Sequence, residues 1–484
     1  MILTIDLGTS ATKAAVWNDR GIVNSGRAFL TTVHRGSGTA EQDPATWWPS
    51  VVDACAAAGT HCVAAVDAVV FASARQTFVP VSAGGEPVGA ALVWSDRRAG
   101  AEASDLVASF GGVDAVRGLT GAVLDGAAVA AKVAWLASRQ PERLAASTWI
   151  LSPRDLMAWE LTGTLATDTT LASATGLYDF DGREVPELVG AAAAMLPEVV
   201  EPDTVIGKVR PEQARILGVR AGIPVVIGAG DRPCEAVGTG ASVERPMVAW
   251  GTTANVSVPL ATLPDPIPRS LAITRSALGG WLLEGGLSGA GSVLAWVAAL
   301  TGVSLEELGQ KAATRPPGAG GLVALPWLGG ARAPWWRDDA RAGFVGAGFE
   351  HGPADLARAV LEAVAYDVAR CLDAMVAAGV GPYSLAIGGS AATAPAWTDV
   401  LTGVTGLPAV QRRSGEAAMA GAALLASEAL GVGFDLDRLD PVQTETTPLP
   451  ETILRYAELR PSADRTAAAA LGLTGALGLT GRVP

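Results

Sequence analysis

The sequence predicts an α/β protein built from two related halves. Each half contains a strand that runs into a turn of glycine and hydroxyl residues, as in residues 2–17 and 247–258. A strand that runs into glycines and an aspartate occurs at 222–241, and a strand, a Gly-Gly turn and a helix occur at 385–401. Strands that alternate with helical segments are typical of α/β folds. The repetition indicates a duplicated α/β domain with a cleft between the copies.

Local patterns predict the first elements of the chain. Residues 2–17 predict a β-hairpin that turns at Gly8 and Thr9. In residues 43–58, Asp43 suits a helix N-cap, a proline follows at the first helical position, and apolar residues recur at helical spacing. We therefore expect a helix directly after the hairpin region.

Later segments predict further strands and helices. Residues 66–74 predict a buried strand, and residues 91–99 predict a strand that ends in a polar turn. Residues 129–142 predict a helix that stops near Pro141. The final residues, 467–484, are low in complexity and predict a frayed helix or a disordered tail without chemistry of its own.

The size and charge of the chain limit its class. Its 484 residues are 49% hydrophobic and 17% charged. At about 150 residues per domain this length suggests about three domains, and two larger α/β domains also fit. The formal charge of −13 argues against a general nucleic-acid binder, which needs a basic surface. It does not exclude a phosphate ligand, because backbone N–H groups and a metal ion can act locally.

Cysteine spacing and hydropathy predict a reduced, cytoplasmic protein without membrane contact. The four cysteines form no CxxC pair and the three histidines are far apart, which favours buried thiols over a zinc site. Asp6 interrupts the first apolar run, so no secretory signal is predicted. The uncharged windows 285–305 and 376–398 contain glycine, serine or threonine, which disfavours membrane spans.

Three turns and two aspartates indicate a site for a phosphorylated ligand. The turns at 8–10, 251–253 and 388–390 follow strands and present hydroxyls or backbone N–H groups. One such turn is a common connector, but three, together with the strand-end Asp6 and Asp231, favour phosphate chemistry. The sequence contains no GxxxxGK[ST] motif and no protein-kinase signature, so another architecture must hold the phosphates.

Longer motifs extend this interpretation along nearly the whole chain. They occur at residues 5–13, 41–48, 93–99, 120–121, 132–136, 152–163, 167–179, 228–240, 250–256, 325–336 and 386–408. Among them are "IDLGTSATK", "VWSDRRA", "GAGDRPCEAVGTG" and "WGTTANV". In order and spacing these blocks resemble the FGGY family of carbohydrate kinases, and most closely its xylulokinase branch.

The resemblance implies an actin-like fold in which two ribonuclease-H-like domains face a central cleft. We expect an N-terminal, sugar-side domain over residues 1–240, with Asp6 and Asp231 at the cleft. A C-terminal, nucleotide-side domain is expected over residues 241–430, and a helical extension with the low-complexity tail over residues 431–484.

The resemblance also implies roles for the two aspartates. Asp6 would help to hold the Mg²⁺ that bridges the nucleotide phosphates, a cation that prefers carboxylate and water oxygens. Asp231 would be the general base for the attacking hydroxyl and would contact both the sugar and the metal. Without the family pattern, an Asx-turn or a helix N-cap is the favoured interpretation of Asp231.

Contacts to ATP are expected from the three turns and from one lysine, for which an exposed hairpin position is the alternative. These residues are Gly8, Thr9, Ser10, Lys13, Gly251, Thr252, Thr253, Gly388, Gly389 and Ser390.

Sugar contacts are expected first from the motif at 93–99. By resemblance, Trp94 borders the substrate, and an acid–arginine pair shapes the pocket, which makes Asp96 and Arg97 candidates. Core packing for the tryptophan and a solvated turn for the charged residues are the alternatives.

A second sugar-side segment departs from the family pattern. Xylulokinases generally have Gly-Gln-Met-His-Gly here and glycerol kinases Asn-Gln-Arg-Glu-Thr, whereas this chain has Arg75, Gln76 and Thr77. Gln76 and Thr77 can hydrogen-bond a polyol, and Arg75 could bind a carboxylate. Residues 122–131 lack the proline and aromatics of glycerol kinases, which counts against glycerol.

We therefore predict an ATP- and Mg²⁺-dependent kinase that phosphorylates a primary hydroxyl of a ketopentose, first of all D-xylulose. The alternatives are another polyol, ketose or aldonate within the family, or an actin-like ATPase or sugar sensor without kinase activity. Asp6 and Asp231 are both present, which disfavours a silent sensor. A homodimer is common among relatives, but the sequence leaves the oligomeric state open.

Overall fold

The computed structural model describes residues 1–36, 38–389 and 395–476. These residues form two compact units. Unit 1 comprises Met1–Gly238, Ala272–Leu282 and Glu416–Pro441. Unit 2 comprises Thr239–Leu271, Leu283–Gly415 and the described part of Val442–Pro484. The chain therefore returns to unit 1 twice after first leaving it.

The strands are short and most of them lie in two mixed sheets. They are β1 Ile2–Leu7, β2 Ala11–Asn18, β3 Gly21–Phe29, β4 Glu41–Gln42, β5 Ala68–Ser73, β6 Val79–Val81, β7 Ala91–Leu92, β8 Trp149–Leu151, β9 Ala166–Asp168, β10 Glu198–Val200, β11 Val205–Lys208, β12 Pro224–Gly230, β13 Met247–Trp250, β14 Ala254–Leu260, β15 Ala272–Arg275, β16 Trp281–Gly286, β17 Val323–Leu325, β18 Gly343–Val345, β19 Leu385–Gly388, β20 Ala409–Arg412 and β21 Val442–Thr446.

The helices alternate with these strands, as the sequence predicts for an α/β protein. They are α1 Trp47–Ala57, α2 Thr60–Ala64, α3 Gly100–Ser109, α4 Val113–Thr120, α5 Val129–Arg139, α6 Pro141–Ala145, α7 Pro153–Thr162, α8 Thr169–Ser173, α9 Pro186–Val189, α10 Pro211–Leu217, α11 Asp231–Thr239, α12 Gly291–Thr301, α13 Leu305–Ala313, α14 Pro353–Ala377, α15 Pro395–Thr405, α16 Ala417–Ala429, α17 Leu436–Leu439 and α18 Pro450–Ala476.

The main sheet of unit 1 has the strand order β11-β12-β5-β1-β2-β3. β1 is antiparallel to β2, which confirms the predicted hairpin, and it is parallel to β5, which in turn is parallel to β12. Leu3, Ile5 and Phe71 are fully buried, as expected for central strands of a parallel core. Because β1, β5 and β12 run in the same direction, their carboxyl ends meet at one edge of the sheet.

The sheet of unit 2, like that of unit 1, combines an antiparallel hairpin with parallel strands. Its strands run in the order β16-β14-β13-β19-β20-β21. The hairpin β13–β14 is antiparallel, and β19 is parallel to β13 and to β20. The turn at 251–253 therefore lies at the same sheet edge as the end of β19. The 25-residue helix α14 contributes a largely buried surface to this unit.

The predicted helix at 43–58 is confirmed, with a tighter first turn. The Asp43 carboxylate accepts a hydrogen bond from the Ala45 N–H, as an N-cap does. Pro44–Thr46 forms a 3₁₀ turn, and α1 follows directly. The strand at 66–74 and the helix at 129–142 are confirmed as β5 and α5, and α5 ends at Arg139.

The strand that ends in a polar turn, predicted over residues 91–99, is confirmed, and the strand itself is short, Ala91–Leu92. From Val93 onward the backbone turns, and the Asp96 N–H donates to the Val93 carbonyl at 2.9 Å. The Arg97 N–H donates to Gly38 at 2.7 Å. The segment is therefore shaped by contacts with the chain near residue 40, which a strand pattern does not encode.

The last part of the chain is helical as far as it is described. α18 continues through residues 467–476, and residues 477–484 lie outside the described chain. Within the described residues, no single helix is both long and apolar enough to cross a bilayer. The pair α12 and α13 satisfies the length and composition criteria only when joined across a bend of 104°.

Candidate active site

Asp6 lies at the carboxyl end of β1, in a position that is unfavourable for a charged group. Its Oδ1 atom is buried and has no hydrogen-bond partner among the described residues. Desolvation raises the pKa of Asp6 to about 7. The positive charge of Lys13 opposes this rise, and the negative charges of Asp231, Glu416 and Glu235 add to it. Burial and the neighbouring acids therefore outweigh the one positive charge, that of Lys13, which acts on this carboxylate.

Asp231 follows β12 directly and is the first residue of α11. Its Oδ1 accepts a hydrogen bond from the Arg232 N–H at 2.8 Å and lies 3.7 Å from the Nε of Arg75. The side chain is 35% exposed, so a hydroxyl from solvent can reach it. The alternative prediction for Asp231 was a residue at the start of a helix. Its position as the first residue of α11 agrees with that alternative too. Only β5 separates the strands of Asp6 and Asp231 in the sheet.

β12 contains a bulge shortly before Asp231. The pairing of β12 with β5 changes register between Val226 and Ala229. Gly228 lies in this bulge with φ +73°, and a Cβ there would stand 1.7 Å from the Phe71 carbonyl oxygen. Only glycine fits this close approach.

A fully buried arginine supports the same strand. The Arg154 guanidinium donates to Asp155 at 2.9 Å and to Asp168 at 2.8 Å. It also donates to the carbonyls of Ile227 at 3.1 Å and Gly228 at 3.3 Å. This cluster joins α7, β9 and β12 just before the candidate base.

We expect Arg154→Met to destabilise the protein by about 3–5 kcal/mol, because two buried carboxylates lose their partner. Urea unfolding of the nucleotide-free protein measures this loss as a lower midpoint. The matched control is Arg183→Met, since Arg183 pairs with Asp181 on the surface and its loss should cost less than about 1 kcal/mol. Equal midpoints for the two variants would contradict the role of the buried cluster.

The turn at 8–10 is held by side chains from the sugar-side segments. A Cβ on Gly8 would lie 2.9 Å from the Ala11 carbonyl oxygen. The Thr9 hydroxyl accepts a hydrogen bond from the Trp94 indole at 2.8 Å, and the Thr9 carbonyl accepts one from Gln42 at 2.5 Å. Ser10 is exposed. The first predicted phosphate turn and the predicted sugar-side tryptophan are thus in direct contact.

Lys13 is the cross-strand partner of Asp6 in the β1–β2 hairpin. Its Nζ lies 2.6 Å from the Glu416 carboxylate, and Arg27 lies 3.8 Å from the same group. The lysine is therefore paired and half-buried, which differs from the exposed hairpin lysine given as the alternative. Its predicted contact with ATP stays a prediction.

The segment at 75–77 lies against the candidate base. Besides its approach to Asp231, Arg75 donates to the Thr274 hydroxyl at 3.3 Å. Gln76 has φ +59°, an uncommon conformation for a residue with a side chain. The Thr77 hydroxyl accepts a hydrogen bond from the Trp94 backbone N–H at 3.0 Å. The structure therefore brings the two predicted sugar-side segments together.

Asp96 and Arg97 do not pair with each other. Asp96 is fully buried and binds the Arg98 guanidinium through both oxygens at 2.7–3.0 Å, and it accepts from the Ala40 N–H at 2.6 Å. Arg97 lies 3.2 Å from Asp125 instead. The buried Asp96 thus holds the turn through its hydrogen bonds to Ala40 and Arg98. This geometry gives no support to a direct contact between Asp96 and the sugar.

In unit 2 the predicted nucleotide turns are built from close backbone contacts. The Thr252 carbonyl accepts from the Ala290 and Ser292 N–H groups at 3.1 and 3.0 Å, next to the start of α12. Gly389 has φ +85°, and a Cβ there would stand 2.1 Å from the Trp250 carbonyl oxygen. The turn at 251–253 and the Gly388–Gly389 pair therefore share one edge of the sheet. Ser390 lies outside the described residues.

The comparisons with known proteins cover nearly the whole chain. Residues 1–238 match the N-terminal domain of the FGGY family of carbohydrate kinases, and residues 247–430 match its C-terminal domain. The chain belongs to the FGGY family of carbohydrate kinases. The predicted family is therefore confirmed, and this kinase is a phosphotransferase, as predicted.

The relatives of this FGGY kinase differ in substrate. It is 31% identical to the xylulose kinase of Escherichia coli (strain K12), over 95% of this chain and 96% of the relative. It is also 31% identical to the glycerol kinase of Gloeobacter violaceus, over 90% of this chain and 88% of the relative. A gluconokinase of Bacillus subtilis is 25% identical over 95% of this chain and 94% of the relative. These matches establish a sugar kinase and leave its sugar open.

Solved structures confirm the fold class. A ligand-bound xylulose kinase from Lactobacillus acidophilus has a TM-score of 0.90 at 22% identity, covering 99% of this chain and 100% of that one. A xylulose kinase from Rhodospirillum rubrum has a TM-score of 0.86 at 25% identity, covering 98% and 99%. The kinase thus has the two-domain, actin-like fold of FGGY sugar kinases, and kinases of this family use ATP.

Two acidic groups near the candidate site of this kinase were missed from the sequence. Glu235 lies four residues after Asp231 on α11 and pairs with Arg232 at 2.6 Å, so helical spacing could have indicated it. Desolvation raises the pKa of Glu235. Glu416 is 403 residues from its partner Lys13, and no local pattern indicates that contact.

Proposed function

We propose that this kinase transfers the γ-phosphoryl group of ATP to a primary hydroxyl of a ketopentose. The first candidate is D-xylulose, with D-xylulose 5-phosphate as the product. The observation that carries the proposal is the placement of Asp6 and Asp231 at one edge of the unit 1 sheet, close enough for their charges to interact. The match to xylulose kinases at 31% identity supports the choice of sugar.

Asp231 acts as the general base in this proposal. Phosphoryl transfer to an alcohol requires that the attacking hydroxyl is oriented and that its proton is accepted as the bond to phosphorus forms. The Asp231 carboxylate is partly exposed, and its Oδ2 is left to meet a hydroxyl while Oδ1 receives the Arg232 N–H. Arg75 beside it limits the directions in which the carboxylate can turn.

The unpartnered Oδ1 of Asp6 supports a magnesium ion at this edge. A buried carboxylate oxygen without a hydrogen-bond donor is unfavourable unless a cation binds to it. No group of three or more potential ligands from His, Cys, Asp or Glu is found in the described part of the chain. Mg²⁺ fits such a sparse protein donor set, since it usually keeps waters and phosphate oxygens. Asp6 and Asp231 would hold it, and the ion would neutralise charge on the phosphates.

The remaining groups bind substrates. The turn residues Gly8, Thr9 and Ser10 would contact the transferred phosphate, with Lys13 near the same charge, and Gly251–Thr253 and Gly388–Gly389 would contact the rest of the nucleotide. The sugar would meet Arg75, Gln76, Thr77, Trp94 and Arg97. Backbone N–H groups at glycine turns are suited to phosphate oxygens.

An aldonate is the second candidate substrate, and one observation favours it. The Arg75 guanidinium lies beside Asp231 and is only 14% exposed, in a position where it could bind a carboxylate at the far end of an acid sugar. The match to a gluconokinase is consistent with this alternative.

ADP release from Mg·ATP tests the proposal. We expect release that depends on D-xylulose and is much slower with glycerol, D-gluconate or no sugar, with a 5-phosphate identified by NMR. Faster release with D-gluconate would favour the second candidate. Release that is equal with and without every sugar would contradict both.

A further inference from the structure

Lys132 is a fully buried lysine with no part in the proposed chemistry. It lies in the first turn of α5, within the motif at 132–136. Its Nζ donates to the carbonyl of Gln76 at 3.0 Å and to the carbonyl of Val93 at 2.8 Å. These acceptors belong to two chain segments that are distant in sequence. One buried ammonium thus joins the segment between β5 and β6 to the segment after β7.

Both joined segments carry the proposed sugar contacts. Gln76 stands between Arg75 and Thr77, and Val93 directly precedes Trp94. A second link, from the Trp94 N–H to the Thr77 hydroxyl at 3.0 Å, runs beside the lysine bridge. The relative position of the two sugar-side segments is therefore held by these neighbouring hydrogen bonds.

The backbone of Gln76 needs such support. Its φ of +59° is in the left-handed region, which is unfavourable for a residue with a side chain and persists where surrounding contacts hold it. The Lys132 hydrogen bond holds the carbonyl of this same residue. The Gln76 amide adds only a weaker contact, to the Ala174 carbonyl at 3.3 Å.

The electrostatic setting is compatible with a protonated or a neutral donor. Burial lowers the pKa of Lys132 to about 7, with Asp96 and Asp125 opposing this effect and Arg98 and Arg97 adding to it. Either form carries at least two N–H groups, so both carbonyls can be satisfied.

We propose that Lys132 is a positioning residue for the acceptor sugar. It fixes the two sugar-side segments relative to each other and sustains the left-handed Gln76, without touching the substrate. The inference rests on the proposed function, because that function assigns the sugar to these segments.

Lys132→Met tests the proposal, because methionine fills similar space without donating. We expect the KM for the best acceptor sugar of the panel to rise about tenfold or more, while the KM for ATP changes less than about twofold. Amide hydrogen exchange at residues 75–77 and 93–95 should become faster than in wild type. The matched control is Lys311→Met, since Lys311 is an exposed lysine on α13 that forms a surface ion pair with Glu307; it should change neither readout.

A rescue variant separates positioning from general stability. Asparagine tolerates the left-handed region better than glutamine, so Gln76→Asn in the Lys132→Met background should restore part of the slow amide exchange. Only the exchange is compared in this variant, because the Gln76 side chain is itself assigned to the sugar. A merely structural role for Lys132 would not respond to a change at position 76. If Lys132→Met does not fold, Lys132→Gln, which keeps one donor, takes its place with the same readouts.

Unchanged exchange in both segments would overturn the proposal, as would equal rises in the KM for sugar and for ATP. A wild-type enzyme that phosphorylates no sugar would count against the proposed function, and the exchange comparison would still decide whether Lys132 fixes the segments.

Discussion

Asp231→Asn is expected to lower kcat with D-xylulose by about 10²–10⁴-fold, the range that a positioned general base contributes. Asparagine can orient the attacking hydroxyl but cannot accept its proton. The Arg232 N–H can still donate to the amide oxygen, so the start of α11 should persist. Steady-state ADP release gives kcat, and calorimetric titration with Mg·ATP should show that much of the nucleotide binding is kept, because Asp6 and the phosphate oxygens would still hold the metal.

The control for this variant is Asp181→Asn, which changes an exposed acid in a surface ion pair and should keep wild-type turnover. Near-normal turnover of Asp231→Asn would remove Asp231 from the mechanism. A large loss in both variants would indicate that charge on unit 1, and not the base, controls the rate.

Asp6→Asn is expected to abolish most turnover and yet to stabilise the nucleotide-free protein above pH 7. Burial raises the pKa of Asp6 from 3.8 to about 7 in the folded protein. The folded state therefore binds this proton more tightly than the unfolded state, and ionisation of Asp6 costs stability as pH rises from about 4 to 7. Asparagine does not ionise and avoids this cost.

The gain should be about 1–3 kcal/mol above pH 7, because Asp6 as a whole is only half-buried and solvent screens part of the effect. Thermal unfolding without nucleotide or metal, at intervals from pH 5 to pH 8, measures it. We expect the Tm difference between variant and wild type to increase with pH and to level off above 7. Asp19→Asn, at an exposed ion pair, provides the control. A difference that is independent of pH, or a less stable variant, would contradict this account of Asp6.

These two variants depend on a local sequence pattern and on the packing of the sheet. The positions of Asp6 and Asp231 at the ends of apolar runs were predictable, because a strand followed by glycine and an acid is a local pattern. Their closeness was not predictable from those patterns, since it follows from the order of β12, β5 and β1 in the sheet.

The secondary structure shows the same division. The hairpin at the start and the helices α1 and α5 follow from alternation, capping and helical spacing, which act over a few residues. The segment after Leu92 shows where such reasoning ends, because the polar turn was predictable and the contacts that shape it were not. There the backbone is drawn into a turn by the buried Asp96, whose partners Ala40 and Arg98 determine its path.

The sequence by itself determined the α/β class, the FGGY family and the residue types that phosphate and sugar chemistry require. The tertiary structure decided which charges meet, as in the pairing of Lys13 with Glu416 and the clustering of Arg154 with Asp168. It also placed Lys132 under two carbonyls from separate segments. The physical reason is that hydrogen bonds and ion pairs depend on distances between atoms, and residues far apart in the chain acquire those distances only when the sheet and helices are packed.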